Sequence, residues 1–330
     1  MLVLAYGGPV SLDHVEPFLR RIMAPREPSE EVVAGAIARY RAIGGRSPLV
    51  ENTLQQARLL QQRLDSCEAG PDTGGGRVSF QVVPGMRHTA PTIEEAVHQA
   101  VEASDGTVIA LIMASHQSER ATGAYLRDVA VSFRTLTDEA RAGMEPPVYV
   151  EAWHTSPLFL RAVADRVVEA QRSFAGGFEG GTVLFTAHSL PLVDGRGDPD
   201  YEQGLRATAE GVMSLVGDCP WSVAYQSAAP SRGARWLGPP AEDIIREVGA
   251  SSRRRVLVAP LGFVSEHLET LYDLDIELAR EAREAGVEMV RAATVQDSPV
   301  FMEALAESVL ACLRRRPPRR GVARYEEVQG

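Results

Sequence analysis

The strongest constraint on how this chain folds is a set of short runs rich in β-branched and apolar residues, set between stretches of helical periodicity. The runs fall at 1–6, 78–85, 107–114, 148–153, 182–187, 221–226, 255–260 and 288–293. Several are apolar at nearly every position, as for strands covered on both faces of a parallel sheet. The intervening stretches carry helix-start signals. Ser29 precedes a helix predicted to reach Ile43, and Thr92 with Glu95 forms a capping box. Ser156-Pro157 and Ser298-Pro299 each place a capping hydroxyl before a proline suited to the first helical position. Gly286 is placed to end an acidic helix. Strand alternating with helix predicts an α/β protein with right-handed crossovers.

A chain of 330 residues has room for about two domains. The expected division is 1–150 and 151–297, each a Rossmann-like four-stranded parallel sheet flanked by helices. A last helix, 298–315, is expected to pack back on the first domain. The glycine-rich stretch 70–76 reads as a linker and 316–330, with its RRRPPRR start just before, as a disordered tail.

Composition narrows the function. The chain is 45% apolar and 24% charged, as in ordinary globular proteins, and no apolar run approaches the ~18 residues of a membrane span. MLVLAYGGP at the start reads as a strand rather than a signal peptide, so the cytoplasm is expected. A net charge of −10 argues against nucleic acid as a partner. Cys67, Cys219 and Cys312 are too scattered for a zinc ribbon or an iron–sulfur cluster. There is no lysine, which removes Schiff-base and P-loop chemistry. G-x-G-x-x-G, G-x-S-x-G and H-E-x-x-H are also missing, which disfavours a dehydrogenase.

Ligands of open α/β sheets bind at the carboxyl ends of strands. His188 stands there, just after TVLFTA. Neutral imidazole takes a proton or binds a borderline metal ion, although a satisfied structural histidine is an equal reading. Glu269, Asp273 and Glu277 follow another strand end at four-residue spacing, so on a helix they share one face. Like charges at that spacing repel, and either a divalent cation or a solvated surface accounts for them. Such stacked carboxylates are expected to titrate above their usual range. His267 is expected to face away from Glu269 as a structural residue. Arg20, Arg21, Arg26, Arg39, Arg41 and Arg46 read mostly as surface charges, some suited to ligand carboxylates.

Longer motifs then carry a resemblance. AYGGP (5–9), RYRAIGGRSPL (39–49), NTLQQA (52–57), GMRH (85–88), FTAHSLP (185–191), YQS (225–227), WLGP (236–239) and GFVSEHLETLYDLDIE (262–277) occur in the order and spacing of the ferrochelatase family, which the chain resembles nearly end to end. The resemblance implies a chelatase-type fold of two domains and insertion of Fe²⁺ into a porphyrin with release of two protons, late in haem biosynthesis. It implies His188 as the active-site histidine, with Glu269 its partner across the porphyrin. His188, Glu269, Asp273 and Glu277 become the metal residues, Glu277 outermost. Tyr6, Arg26, Arg46, Ser47 and Tyr125 are the porphyrin-binding residues expected with them. Tyr6 in its motif leans toward coproporphyrin III over protoporphyrin IX. Fe²⁺ is a substrate here, with no organic cofactor, no integral membrane segment and a monomer expected. The chain departs from the family pattern at Met23-Ala24, where a basic pair is expected, at His116 in ASHQS, and in the loop 228–235. The rival readings are a cobalt or nickel chelatase of a sirohydrochlorin-like ring and a non-catalytic haem or porphyrin-binding protein.

Overall fold

The computed structural model describes residues 1–67, 79–104, 106–116, 118–119, 122–150, 153–228, 235–252 and 254–315. The expected linker at 70–76 and tail at 316–330 lie outside the described residues, as does most of the loop 228–235.

The apolar runs become strands of two four-stranded parallel sheets. The first holds β1 (Leu2–Ala5), β2 (Val83–Met86), β3 (Ile109–Ile112) and β4 (Val148–Val150), in the order β2-β1-β3-β4. The second holds β5 (Thr182–His188), β6 (Trp221–Gln226), β7 (Arg255–Ala259) and β8 (Glu288–Arg291), in the order β6-β5-β7-β8. In each sheet the first strand in sequence is central, paired in parallel on both sides. All four residues of β1 and of β3 are buried, as continuous apolar runs require.

Helices cover the sheets: α1 (Val15–Met23), α2 (Glu30–Ala42), α3 (Leu49–Asp65), α4 (Ile93–Glu102), α5 (Thr122–Thr135), α6 (Asp138–Arg141), α7 (Pro157–Gln171), α8 (Pro199–Val216), α9 (Ala241–Ala250), α10 (Ala279–Glu284) and α11 (Pro299–Arg314). A π-helix, Glu269–Leu278, runs directly into α10. The Ser29, Thr92 and Ser298 hydroxyls accept backbone N–H groups of the first turn, and Thr92 with Glu95 completes a capping box. Ser156 differs: Pro157 begins α7, but the hydroxyl makes no capping bond. Gly286, at φ +69°, closes α10 in the left-handed region.

The strand expected at 78–85 begins in the structure at Val83. The segment before it bonds in part to a side chain: Gln61 of α3 donates to the Phe80 carbonyl at 2.9 Å and accepts the Val82 N–H at 2.7 Å, while the Gln81 carbonyl accepts from the Met1 amino group at 2.7 Å. Trp153, expected to end a strand, lies in a 3-10 turn, Trp153–Thr155.

α11 packs against both α7 and α3 and touches β4. One hydrophobic core therefore runs from Val3 and Leu111 of the first sheet to Phe185 and Leu257 of the second. Trp153, Phe159 and Phe301 meet within it, with ring centroids 5.1–5.9 Å apart. Polar bonds add to this between the halves. Gln56 of α3 donates to the carbonyls of Gln296 (2.8 Å) and Val264 (3.3 Å), and Asn52 to that of Glu266 (3.4 Å). The strand-end loops of the second sheet are thereby fixed against the first domain.

Candidate active site

His188 is the last residue of β5, about one-third exposed. The loop after β7 reaches it because residue 262 is glycine: a Cβ there would stand 2.7 Å from that of Ala187. His188 Nδ1 lies 2.5 Å from the Ser189 carbonyl, which only a ring N–H can satisfy. In the neutral ring Nε2 is then the lone-pair nitrogen, and it lies 3.5 Å from Glu269 Oε1. The Tyr201 hydroxyl donates to the His188 carbonyl at 3.0 Å and fixes the strand end.

Glu269 opens the π-helix. Its Oε2 lies 3.6 Å from His267 Nε2, contrary to the expectation that His267 faces away. Residues two apart point apart only within a helix, and His267 precedes this one. Its ring is turned inward by Nδ1 donating to the Ser265 carbonyl at 3.1 Å, and its N–H donates to Thr270 Oγ1 at 3.0 Å. Burial alone would raise the Glu269 carboxyl. The imidazoles of His188 and His267, with Arg39, outweigh burial and hold it at about 2. The expectation of raised carboxylates therefore fails at Glu269.

It holds at Asp273, which is pushed up to about 6 by burial and then by Glu269 and Glu277, against the opposing effects of Ser227 and Arg39. The Ser227 hydroxyl donates to Asp273 Oδ2. Ser227 follows β6 at φ +61°, a left-handed conformation uncommon for serine. Arg39 of α2 spans the outer row loosely, 3.9 Å from Asp273 Oδ1 and 3.8 Å from Glu277 Oε2, over the Tyr272 ring at 5.1 Å. Glu269 Oε2 and Asp273 Oδ1 are buried oxygens without a hydrogen-bond donor. A cation arriving along this face would meet them.

The expected porphyrin-binding residues separate. Tyr6, at the end of β1, is 40% exposed and lies against the His88 ring at 4.5 Å. Its phenol is pushed up by burial and then by the negative charge of Glu269. Tyr125 is buried in the first domain, under the Arg87 guanidinium at 5.2 Å. Arg26 lies exposed in the turn after α1. Arg46 pairs with Glu51 at 3.3 Å, and Arg46 and Ser47 line a separate groove at the start of α3. Gly44 and Gly45, at φ +96° and +85°, turn the chain there, so Arg39 is the arginine brought to the acidic row and Arg46 is not. Neither Ser227 nor Arg39 was marked by its own spacing; each lay in a family motif, YQS or RYRAIGGRSPL.

A cavity of about 600 Å³ lies between the domains, bordered by Ser115, Leu126, Trp153, Leu190, Pro191 and Asp198. It adjoins the His188 segment through Leu190 and Pro191, but the acidic row does not line it. Behind it His116 is buried, bonded to Ser115 Oγ at 2.8 Å and Thr208 Oγ1 at 3.0 Å. Burial and then His154 lower its ring to about 3, so it is a neutral, structural histidine at ordinary pH.

Among the described residues no three His, Cys, Asp or Glu side chains converge to enclose an ion. His188 and Glu269 instead offer two ligands with an open side, an arrangement that can hand an ion on.

Comparison with known proteins gives the relatives of the chain. The ferrochelatase family model matches residues 1–312. A ferrochelatase of Herpetosiphon aurantiacus is 35% identical over 307 residues, 92% of this chain and 96% of that one. A coproporphyrin III ferrochelatase of Anoxybacillus flavithermus is 35% identical over 318 residues, 96% of each. Among solved structures, SirB from Bacillus subtilis with Fe³⁺ superposes with a TM-score of 0.53 at 14% identity, over 78% of this chain and 88% of that one. That likeness concerns the fold.

Proposed function

The chain belongs to the ferrochelatase family, and we propose that His188 and Glu269 are the pair between which its metal is inserted. It is a porphyrin metal chelatase that inserts Fe²⁺ into a porphyrin with release of two protons, in haem biosynthesis. The observation that carries the assignment of residues is the 3.5 Å approach of His188 Nε2 to Glu269 Oε1 at the carboxyl end of β5.

Two events must be served: pyrrole N–H protons leave, and hydrated Fe²⁺ sheds water. His188 presents a lone pair on Nε2, fixed by the Ser189 carbonyl, and accepts the two pyrrole protons in turn, its partly exposed ring passing the first to solvent before it takes the second. Glu269 faces the same site, where it holds the ion and stabilises the imidazolium once His188 is charged. Asp273 and Glu277 lead outward from it, and their oxygens bind Fe²⁺ loosely enough to release it inward. Tyr6, exposed at the end of β1, contributes to binding the macrocycle.

Coproporphyrin III is the proposed porphyrin, on the strength of Tyr6 and of a relative that carries that name. A monomer acting in the cytoplasm is also proposed. Anaerobic turnover with Fe²⁺, comparing coproporphyrin III with protoporphyrin IX, tests the substrate; faster turnover of protoporphyrin IX would reverse the choice.

A further inference from the structure

β8 ends on Arg291, whose side chain is only 12% exposed. Its guanidinium reaches two carboxylates from different parts of the chain. Nε and Nη2 donate to the two oxygens of Asp275 at 2.5 and 2.8 Å. Nη1 donates to Glu266 Oε1 at 3.0 Å and to the Ala292 carbonyl at 3.0 Å. The same Glu266 oxygen accepts the Thr294 N–H at 2.9 Å and its hydroxyl at 3.1 Å. Burial alone would raise the Glu266 carboxyl, but Arg291 and the Thr294 bond hold it below the usual range.

The position of this network gives it meaning. Glu266 precedes Glu269, and Asp275 follows Asp273, so Arg291 grips the chain on both sides of the inner acidic pair. Asp275 is two residues from both Asp273 and Glu277 and points away from their face. The grip therefore comes from behind the helix, from a strand of the second sheet, and leaves the acidic face open to the cleft. A π-helix is rare outside functional sites, and the α-helical register is the default for such a segment. A buried ion network adds little stability by itself compared with apolar packing, so its value here is in what it fixes.

We propose that Arg291 is a positioning residue for metal insertion: by tying Glu266 to Asp275 it holds the π-helical register that sets Glu269 against His188. The proposal rests on the iron-insertion reading. Without the tie the segment relaxes toward an α-helix and Glu269 rotates away from Nε2. A misplacement of about 1 Å at reacting groups costs on the order of a hundredfold in rate.

The test compares Arg291→Gln, Arg291→Lys and Asp275→Asn with Arg63→Gln, which breaks a more exposed pair with Glu303 between α3 and α11. Lysine keeps the charge but cannot bridge both carboxylates. Porphyrin affinity, melting temperature and kcat/KM for Fe²⁺ are measured for each. Expected are at least a tenfold loss of kcat/KM in Arg291→Gln, a partial loss in Arg291→Lys and Asp275→Asn, porphyrin affinity within twofold of the parent, and unchanged kcat/KM in Arg63→Gln. Should Arg291→Gln fail to fold, Asp275→Asn decides alone, since its carboxylate is one-third exposed. Wild-type kcat/KM in folded Asp275→Asn and Arg291→Gln would overturn the proposal. Absence of turnover in the unmodified protein would instead overturn the iron-insertion reading.

Discussion

His267 Nε2 and His188 Nε2 approach opposite oxygens of Glu269, at 3.6 and 3.5 Å, so one carboxylate is held between two imidazoles. When protonated, these rings hold the partly exposed Glu269 carboxyl low, while its neighbour Asp273 titrates high. The two carboxyls therefore differ, with Asp273 exchanging its proton within reach of physiological pH.

Replacing Glu269 by Gln keeps its shape and removes that charge. Metal insertion should fall by about 10²–10³-fold, with porphyrin binding retained. His267→Ala should raise the Glu269 carboxyl without removing a metal ligand, and cost less than Glu269→Gln. Stopped-flow turnover at pH 7.5 separates them, and equal losses would place His267 among the metal residues.

Asp273 gives a pH dependence of defined sign. It titrates at about 6 folded against 3.8 ordinarily. Below about pH 3 it is protonated in both states and costs the fold nothing. Between 3.8 and about 6 the unfolded chain ionises while the folded one does not, so stability falls by on the order of 2–3 kcal/mol at ~1.4 kcal/mol per pH unit and stays lower above that window. Asp273→Asn should therefore raise urea stability at pH 7.5 and leave it nearly unchanged at about pH 3. Protons also compete with metal at this residue, so the apparent KM for Fe²⁺ should rise as pH falls below 6. That rise should vanish in the variant.

Arg39 is about half exposed and long in both its contacts, so its contribution to stability should be under about 1 kcal/mol. Its charge opposes an incoming cation. Arg39→Gln, assayed at pH 8 where Asp273 is ionised, should lower the apparent metal KM about threefold. The difference should shrink in high salt as screening sets in. A raised metal KM would mean that Arg39 helps to hold the row in place.

The core that joins the two sheets makes a separate prediction. Phe301 is fully buried between Trp153 and Phe159. Phe301→Ala should cost about 3–5 kcal/mol by loss of transfer energy and creation of a cavity. Urea unfolding followed by circular dichroism measures it, and a loss under about 1 kcal/mol would show that the site collapses to fill the space.

Much of this was legible in the sequence because local pattern decides it. TVLFTA could only be a strand buried on both faces, and His188 after it had to stand at a strand end. The spacing of 269, 273 and 277 put three acids on one face whichever helical form was adopted. What escaped depends on bonds between distant segments. The ring of His267 is turned by the Ser265 carbonyl, in a turn where helical facing rules do not apply. Arg39 rather than Arg46 reaches the acids because two left-handed glycines intervene. Arg291 meets Asp275 only because a crossover returns β8 beside β7.

The central claim is that metal enters the porphyrin between His188 and Glu269. The most direct measurement is anaerobic Fe²⁺ insertion into coproporphyrin III by the unmodified protein and by His188→Ala, followed through loss of porphyrin fluorescence. The account predicts rapid metallation by the former, and by the latter tight porphyrin binding with almost no insertion. Near-normal turnover by a folded His188→Ala protein would contradict it.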